Sequence, residues 1–282
     1  MEKQEHVGNF SVDYSVLDTW NIYGNGASAP TDVHVKLSML GDFDEVALAD
    51  AKPPENKVGN PSLLRYVLAS RKGENLKTCY TSVIEPYRGA SKIASAELLS
   101  VKEDGKDVCP MFARAVKVTL TSGRIDYIVN AADPAISYTV TDGNTEFTFQ
   151  GFFGVWSVEN GNNRYYLNDG TQIGKAVNPG APAVTGTVVD FTKELAVENE
   201  IIVAAEQDVA ADKLAGQYIY IDNDGIHNAA YRIESASIRP DGNWALHIGD
   251  LSPVRCYADA YDFAKGYIYD IAEGKSFRIP LS

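Results

Sequence analysis

The run Glu85-Pro86-Tyr87-Arg88-Gly89 sets a carboxylate, a phenol and a guanidinium next to one another at the end of an alternating segment, Tyr80 to Ile84. Proline has no N–H to give to a ladder, so Pro86 is predicted to end the strand and begin a turn. Glu85, Tyr87 and Arg88 then suit contact with a sugar or docking of another domain. The plainer role is a turn in which Glu85 pairs with an arginine. A second group brackets Asn160-Gly161-Asn162: Phe152, Phe153, Trp156, Tyr165 and Tyr166, with Arg164 beside them. A hairpin with a ring on each arm makes a stacking platform for a sugar, and Trp156, Arg164 and Tyr165 are its candidate contacts. Cross-strand aromatic pairs are also an ordinary way to stabilise a sheet. Trp20 and Trp244 read as core.

The four histidines, His6, His34, His227 and His247, show no H-x-H or H-x-x-x-H spacing. Zinc needs convergent ligands, so no metal site is predicted. His34 alternates with Val33 and Val35 and faces away from them; it is the one candidate for a lone acid or base, against a plain strand histidine. His227 follows Asp222-Asn223-Asp224-Gly225, half of a calcium loop without the distal glutamate, and reads as a hairpin turn. Asp42, Asp44 and Glu45 are close in sequence, but only Asp42 and Asp44 share a side of an extended chain. They read as a solvated acidic loop within reach of Lys52 or Arg65.

The elements that must position these groups are almost all strands. Period-two alternation runs through Val33 to Met39, Ala115 to Leu120, Arg124 to Val129, Ile136 to Val140, Thr145 to Gln150 and Tyr218 to Ile221. Gly- and Asn-containing turns separate them. The expected fold is all-β: a large antiparallel β-sandwich of stacked sheets over residues 1–186, then a smaller antiparallel β domain over 187–282. The linker candidate is Asn178-Pro179-Gly180-Ala181-Pro182. One short helix is expected over Pro61 to Ser70, with Asn60 as its N-cap.

Composition bounds the function. At 282 residues and 45% hydrophobic, the chain can bury a sizeable core. No apolar run approaches the ~18 residues of a membrane span, and MEKQEHVGNF lacks the apolar centre of a signal peptide. A formal charge of −13 without a compensating basic cluster argues against nucleic acid and against a heavily sulfated ligand. Arg65, Arg71 and Lys72 could form a basic patch only locally. Three widely spaced cysteines, Cys79, Cys109 and Cys256, are read as buried free thiols.

Taken in order, several segments resemble the β-rich C-terminal region of the heparinase II/III-like polysaccharide lyases. They are LSMLGDFDEVALADAKPP (37–54), NPSLLRYVLASRKGENL (60–76), CYTSVIEPYRG (79–89), RAVKVTLTSGRIDYIV (114–129), YIYIDNDGIHNAAYRI (218–233) and KGYIYDIAEGKSFRIPLS (265–282). The likeness runs from about Ser11 to Ser282 and lies in the ordered set, not in any single motif. It implies β-elimination of a uronate polymer, in which a base takes the proton beside the carboxylate and an acid protonates the leaving oxygen. It also implies a helical toroid, upstream in the same chain or as a separate one, bearing the tyrosine and most of the other machinery. These 282 residues contain no counterpart of the toroid positions or of the family's His/Asp metal cluster. The resemblance therefore implies an accessory region that lines a substrate cleft for an acidic polysaccharide and docks the toroid, without cofactor and without catalysis of its own. An independent carbohydrate-binding module is the alternative. A docking face near Asp42–Pro54 and Glu85–Arg88 is expected to be exposed and to support a homodimer. The compartment is periplasmic or extracellular for a region of a secreted lyase, cytoplasmic otherwise.

Overall fold

The structure, a computed structural model, describes residues 2–26, 29–53, 57–58, 60–178 and 183–281. Strand accounts for 59% and helix for 3%, so the all-β antiparallel class expected from the alternation is the class observed. Two compact units emerge: Met1–Tyr165 with Ile173–Lys175, and Tyr166–Gln172 with Ala176–Ser282.

The first unit opens with β1 (Glu2–Val7), β2 (Phe10–Asp18), β3 (Ala29–Leu40), β4 (Phe43–Ala51), β5 (Leu64–Ser70) and β6 (Thr81–Arg88). They form two three-stranded sheets, β1-β4-β5 and β2-β3-β6. Two expectations change here. Residues 64–70 are a strand, not the end of a helix, because β4 pairs with them from Glu45↔Ser70 to Ala51↔Leu64. That ladder outweighs a capping signal that was only local, and Tyr66 and Val67 suit a pleated surface. The stretch expected as an irregular loop after Asp42 is likewise β4, held between β1 and β5; Pro54 lies outside the described residues.

Next come β7 (Ile93–Glu103), β8 (Lys106–Asp107), β9 (Ala113–Leu120), β10 (Ile125–Ala131), β11 (Tyr138–Asp142) and β12 (Thr145–Glu159). β7 pairs with β9 and β11, β9 with β10, and β12 with both β10 and β11. The five strands therefore close into a barrel, which leaves none of them with a free edge. Ala115, Val129, Val140 and Phe149 are fully buried in this region of the unit. Gly154 in β12 permits the closest packing: a Cβ there would lie 2.8 Å from both Phe149 and Ile173.

β13 (Asn162–Ile173) passes from the first unit to the second, which holds its residues Tyr166–Gln172 and β14 (Ala176–Val177). The second unit continues with β15 (Ala183–Phe191), β16 (Asn199–Ala205), a single helical turn α1 (Ala211–Leu214), β17 (Tyr218–Ile221), β18 (Ala230–Arg232), β19 (Ser235–Ile238), β20 (Trp244–Gly249), β21 (Val254–Tyr257), β22 (Tyr267–Tyr269) and β23 (Ser276–Pro280). Its main sheet runs β18-β17-β23-β15-β16-β20-β19. Val188, Ile201, Ile219, Leu246 and Ile279 are among its fully buried side chains. The boundary expected between residues 186 and 187 falls inside β15, and most of the expected linker, residues 179–182, lies outside the described residues. Within the second unit the buried Asp169 accepts from Nε and Nη2 of Arg278, and its N–H donates to the Leu281 carbonyl.

Because the Gly154 contacts are to core side chains, Gly154→Val should overpack the first unit and lower stability by about 1–3 kcal/mol in a denaturant titration.

Candidate functional site

Glu85, Tyr87 and Arg88 lie on a strand, not a turn. The Gly89 N–H donates to the Asp32 carbonyl at 2.9 Å. The register then makes 34/87 and 36/85 hydrogen-bonded pairs and leaves Val35↔Pro86 a non-bonded pair. Pro86 therefore points its missing donor away from β3. It sits on the free edge of β2-β3-β6 and interrupts nothing. Alternation sends Glu85 and Tyr87 to one face and Arg88 to the other. Buried Glu85 has no arginine partner among the described residues. Its carboxylate accepts from the N–H of Lys92 at 2.5 Å, the N–H of Ile93 at 3.1 Å and the Ser91 hydroxyl at 2.8 Å, holding the bend into β7. Arg88 on the opposite face stands over the Tyr23 ring at 5.7 Å and near Asp32 at 3.6 Å.

His34 and Tyr87 do come together. Their rings stack at 4.8 Å and 12°. Asp13 on β2 takes a short hydrogen bond from the Tyr87 hydroxyl on one oxygen and faces His34 Nδ1 at 3.1 Å with the other. The Tyr87 bond holds the Asp13 carboxyl below its ordinary range, helped by His34. The same bond pushes the Tyr87 phenol up to about 12. Such a phenol keeps its proton at neutral pH and serves as a donor, not a base. The carboxylate favours the His34 tautomer with Nδ1–H donating, which leaves Nε2 as acceptor.

Trp156 stacks on Tyr127 at 4.9 Å and on Tyr165 at 6.1 Å, and meets Phe147 edge-on at 5.2 Å. Its Nε1–H donates to Asn163 at 2.8 Å. Trp156 thus sits inside an aromatic ladder, and only its outer neighbour Tyr165 offers a partly open ring. Arg164 is exposed beside the Asn160–Asn162 turn, where with Arg124, Ser157 and Glu159 it lines a niche of about 60 Å³.

A wider opening of the first unit lies elsewhere. A cleft of about 660 Å³ is lined by Gly41, Asp42, Phe43, Asp44, Arg71 and Arg114, with His6 and Leu98 among its other walls. Arg71 organises it. Nε donates to the Asp42 carbonyl at 2.8 Å, and Nη1 to the Thr78 hydroxyl at 2.8 Å and the Cys79 carbonyl at 2.9 Å. The guanidinium carbon stands 5.3 Å from the ring centres of both Phe43 and Tyr80. Arg114, on β9, donates from Nε to the Thr81 hydroxyl at 3.1 Å. Asp44 accepts from the Lys72 N–H at 2.6 Å, so the acidic run is built into the cleft, while Arg65 pairs with Asp50 at 2.9 Å. Sequence reasoning placed Arg71 only in a local basic patch and passed over Arg114. Arg71 follows β5 of one sheet and Arg114 lies on β9 of another, so no local spacing marks them.

Two further readings change. Trp20 is 61% exposed, not core, because Asp18 folds the connection after β2 outward by accepting from the N–H groups of Ile22 at 2.7 Å and Tyr23 at 2.8 Å. Cys109 and Cys256 are exposed and Cys79 half-buried; all three are free thiols. Cys256 pairs with Ile268 on the open side of the β21–β22 ribbon, which nothing in the local alternation indicates. The Asp222–Gly225 run is a turn whose Asp224 accepts from the N–H groups of Ile226 and His227, both at 3.0 Å; these bonds and the His227 ring hold its carboxyl well below the usual carboxylate range. Among the described residues there is no cluster of three or more His, Cys, Asp or Glu placed to hold a metal.

Comparison with protein-family models, with curated proteins and with solved structures finds no match to this chain.

Glu85→Ala would leave the N–H groups of Lys92 and Ile93 without their acceptor inside the fold, so stability should fall by about 1.5–3 kcal/mol, with faster amide exchange over residues 89–93. The Asp13 carboxyl has a lowered folded value, so its contribution is present above the ordinary carboxylate range near pH ~4 and fades as pH falls through the folded value. Tyr87→Phe removes the main cause of that lowering. Carbon-detected titration should then show Asp13 moving back up, and the acid limb of the stability curve should flatten.

Proposed function

We propose that this chain is an accessory β region of a uronate-polysaccharide lyase, which lines one side of a saccharide cleft beside a helical toroid and does not catalyse elimination alone. The observation that carries the reading is the open cleft of the first unit, where Arg71, Arg114, Asp42 and Asp44 stand beside apolar walls from Val7, Leu98 and Pro110, while the ring of Phe43 is buried under Arg71. A sugar presents hydroxyls and an apolar ring face together, and such mixed walls suit both. The resemblance of the ordered segments supplies the class of polymer. The one candidate acid or base, His34, and the Tyr87 ring stacked on it are poorly placed for elimination there. Tyr87 holds its proton, and neither it nor His34 lines the cleft.

A second reading, an independent carbohydrate-binding module, is favoured by rings on the second unit. Tyr257 lies 4.4 Å from Phe263 and 5.0 Å from Tyr267, and Tyr261 beside them is 99% exposed. Exposed rings of this kind stack on sugar faces without help from another domain.

Unsaturated uronate products absorb in the ultraviolet, so turnover is simple to follow. The purified chain should bind uronate oligomers without producing that absorbance. Turnover that is abolished by His34→Ala would overturn the accessory reading and make His34 catalytic.

A further inference from the structure

We infer that the cleft around Arg71 and Arg114 is a carboxylate-binding subsite that takes one uronic acid residue, with these two guanidiniums as its charge-recognising pair. The inference rests on the reading of this cleft as saccharide-contacting and adds which chemical group it selects.

The first observation is an imbalance. The chain carries 38 acidic residues against 25 basic ones, so carboxylates are in excess. Arg65, Arg88, Arg124, Arg239, Arg255 and Arg278 each stand within ion-pair distance of one. Among the described residues Arg71, Arg114, Arg164 and Arg232 do not, and of these only Arg71 and Arg114 line this cleft, although Asp42 and Asp44 line it too. Both are instead held by neutral acceptors: a hydroxyl and two carbonyls for Arg71, a hydroxyl for Arg114. Neutral anchors fix a guanidinium in place without neutralising it.

The second observation is which nitrogens remain. Nε and Nη1 of Arg71 are engaged, and Nη2 has no acceptor among the described residues. Nη2 lies 3.1 Å from where a Cβ on Gly41 would project, and Gly41 has φ +115°. A side chain at residue 41 would be strained in the backbone and would crowd this nitrogen; glycine leaves it accessible. Arg114 likewise uses only Nε among the described residues, so both its terminal nitrogens are available. Such donors match the paired oxygens of a carboxylate or of a phosphate.

The third observation limits the charge of the ligand. Asp42 and Asp44 add two carboxylates to the cleft that holds the two arginines, with His6 at its rim. A densely sulfated segment would meet that repulsion. A singly charged uronate instead places its carboxylate on the arginines and offers hydroxyls to the aspartates, while the rings of Phe43 and Tyr80 back the Arg71 guanidinium.

The test is calorimetric titration of the full chain with tetramers of mannuronate, of galacturonate and of alternating glucuronate and N-acetylglucosamine. Each is compared with its carboxyl-reduced, neutral counterpart and with a heparin tetrasaccharide. At least one uronate tetramer should bind about tenfold or more tighter than its neutral counterpart, the change expected for a lost charge-assisted bond. Arg114→Gln should remove most of that preference while leaving the weaker neutral binding. Arg71→Lys, which keeps the charge but not the fork, should reduce it, with melting temperature checking that the fold survives. Arg65→Gln, outside the cleft, should change nothing. Equal binding of acidic and neutral tetramers, or preference retained within twofold in both Arg114→Gln and Arg71→Lys, overturns the carboxylate assignment and leaves the saccharide reading standing. Tightest binding to the heparin fragment overturns the limit to a singly charged ligand. If no tetramer of either kind binds, the saccharide reading falls and the subsite with it.

Discussion

The Arg71 guanidinium is the point on which the first unit's cleft depends. It follows β5 in sequence, yet it reaches the carbonyl of Asp42 before β4 and the Thr78–Cys79 segment that leads into β6. One planar group therefore links segments that lead into strands of two different sheets. Its flat faces matter as much as its donors, because Phe43 and Tyr80 both pack beside it. A lysine would supply the charge without this geometry, since an ammonium cannot serve divergent acceptors in a plane. The neighbourhood of Gly41 and the exposure of Asp42 follow from where this guanidinium is fixed.

Much of the fold was legible because period-two alternation is a direct consequence of a pleated strand with one face inward. Segments such as Ala115 to Leu120 and Tyr218 to Ile221 carry it plainly, and both are strands. Two failures share one cause. Asn60-Pro61 is a good helix start taken alone, and Pro86 a good strand stop taken alone, but a partner strand overrides each signal. β4 recruits residues 64–70 into a ladder. The register against β3 puts Pro86 where no donor is required. In both places non-local pairing decides the outcome.

The candidate site was less legible for a related reason. Glu85, Tyr87 and Arg88 are neighbours in sequence, but a strand separates neighbours onto opposite faces, so only Glu85 and Tyr87 share one. Trp156 stands out in the sequence beside a turn, yet its ring is largely enclosed by Tyr127, Phe147 and Tyr165. Arg71 and Arg114 stand far apart in the chain, and each is anchored by acceptors that no spacing rule connects to it. His34 is an intermediate case. Its facing could be read from alternation, whereas its carboxylate partner Asp13, on another strand, could not.

The contact between Asp169 and Arg278 bears on how this protein can be dissected. The sequence invites a cut in the Pro- and Gly-containing stretch after Asn178, which would split the chain into contiguous halves. Asp169 lies before that cut and Arg278 near the far end of the chain, although both belong to the second unit. A carboxyl-terminal fragment made this way loses a buried acceptor together with the strand segment that carries it, and the amino-terminal fragment keeps a segment whose natural neighbours are gone. The second unit is thus an interleaved module, not a cassette. Shuffling, truncation or fusion that respects its integrity must carry residues 166–172 along with everything after 175.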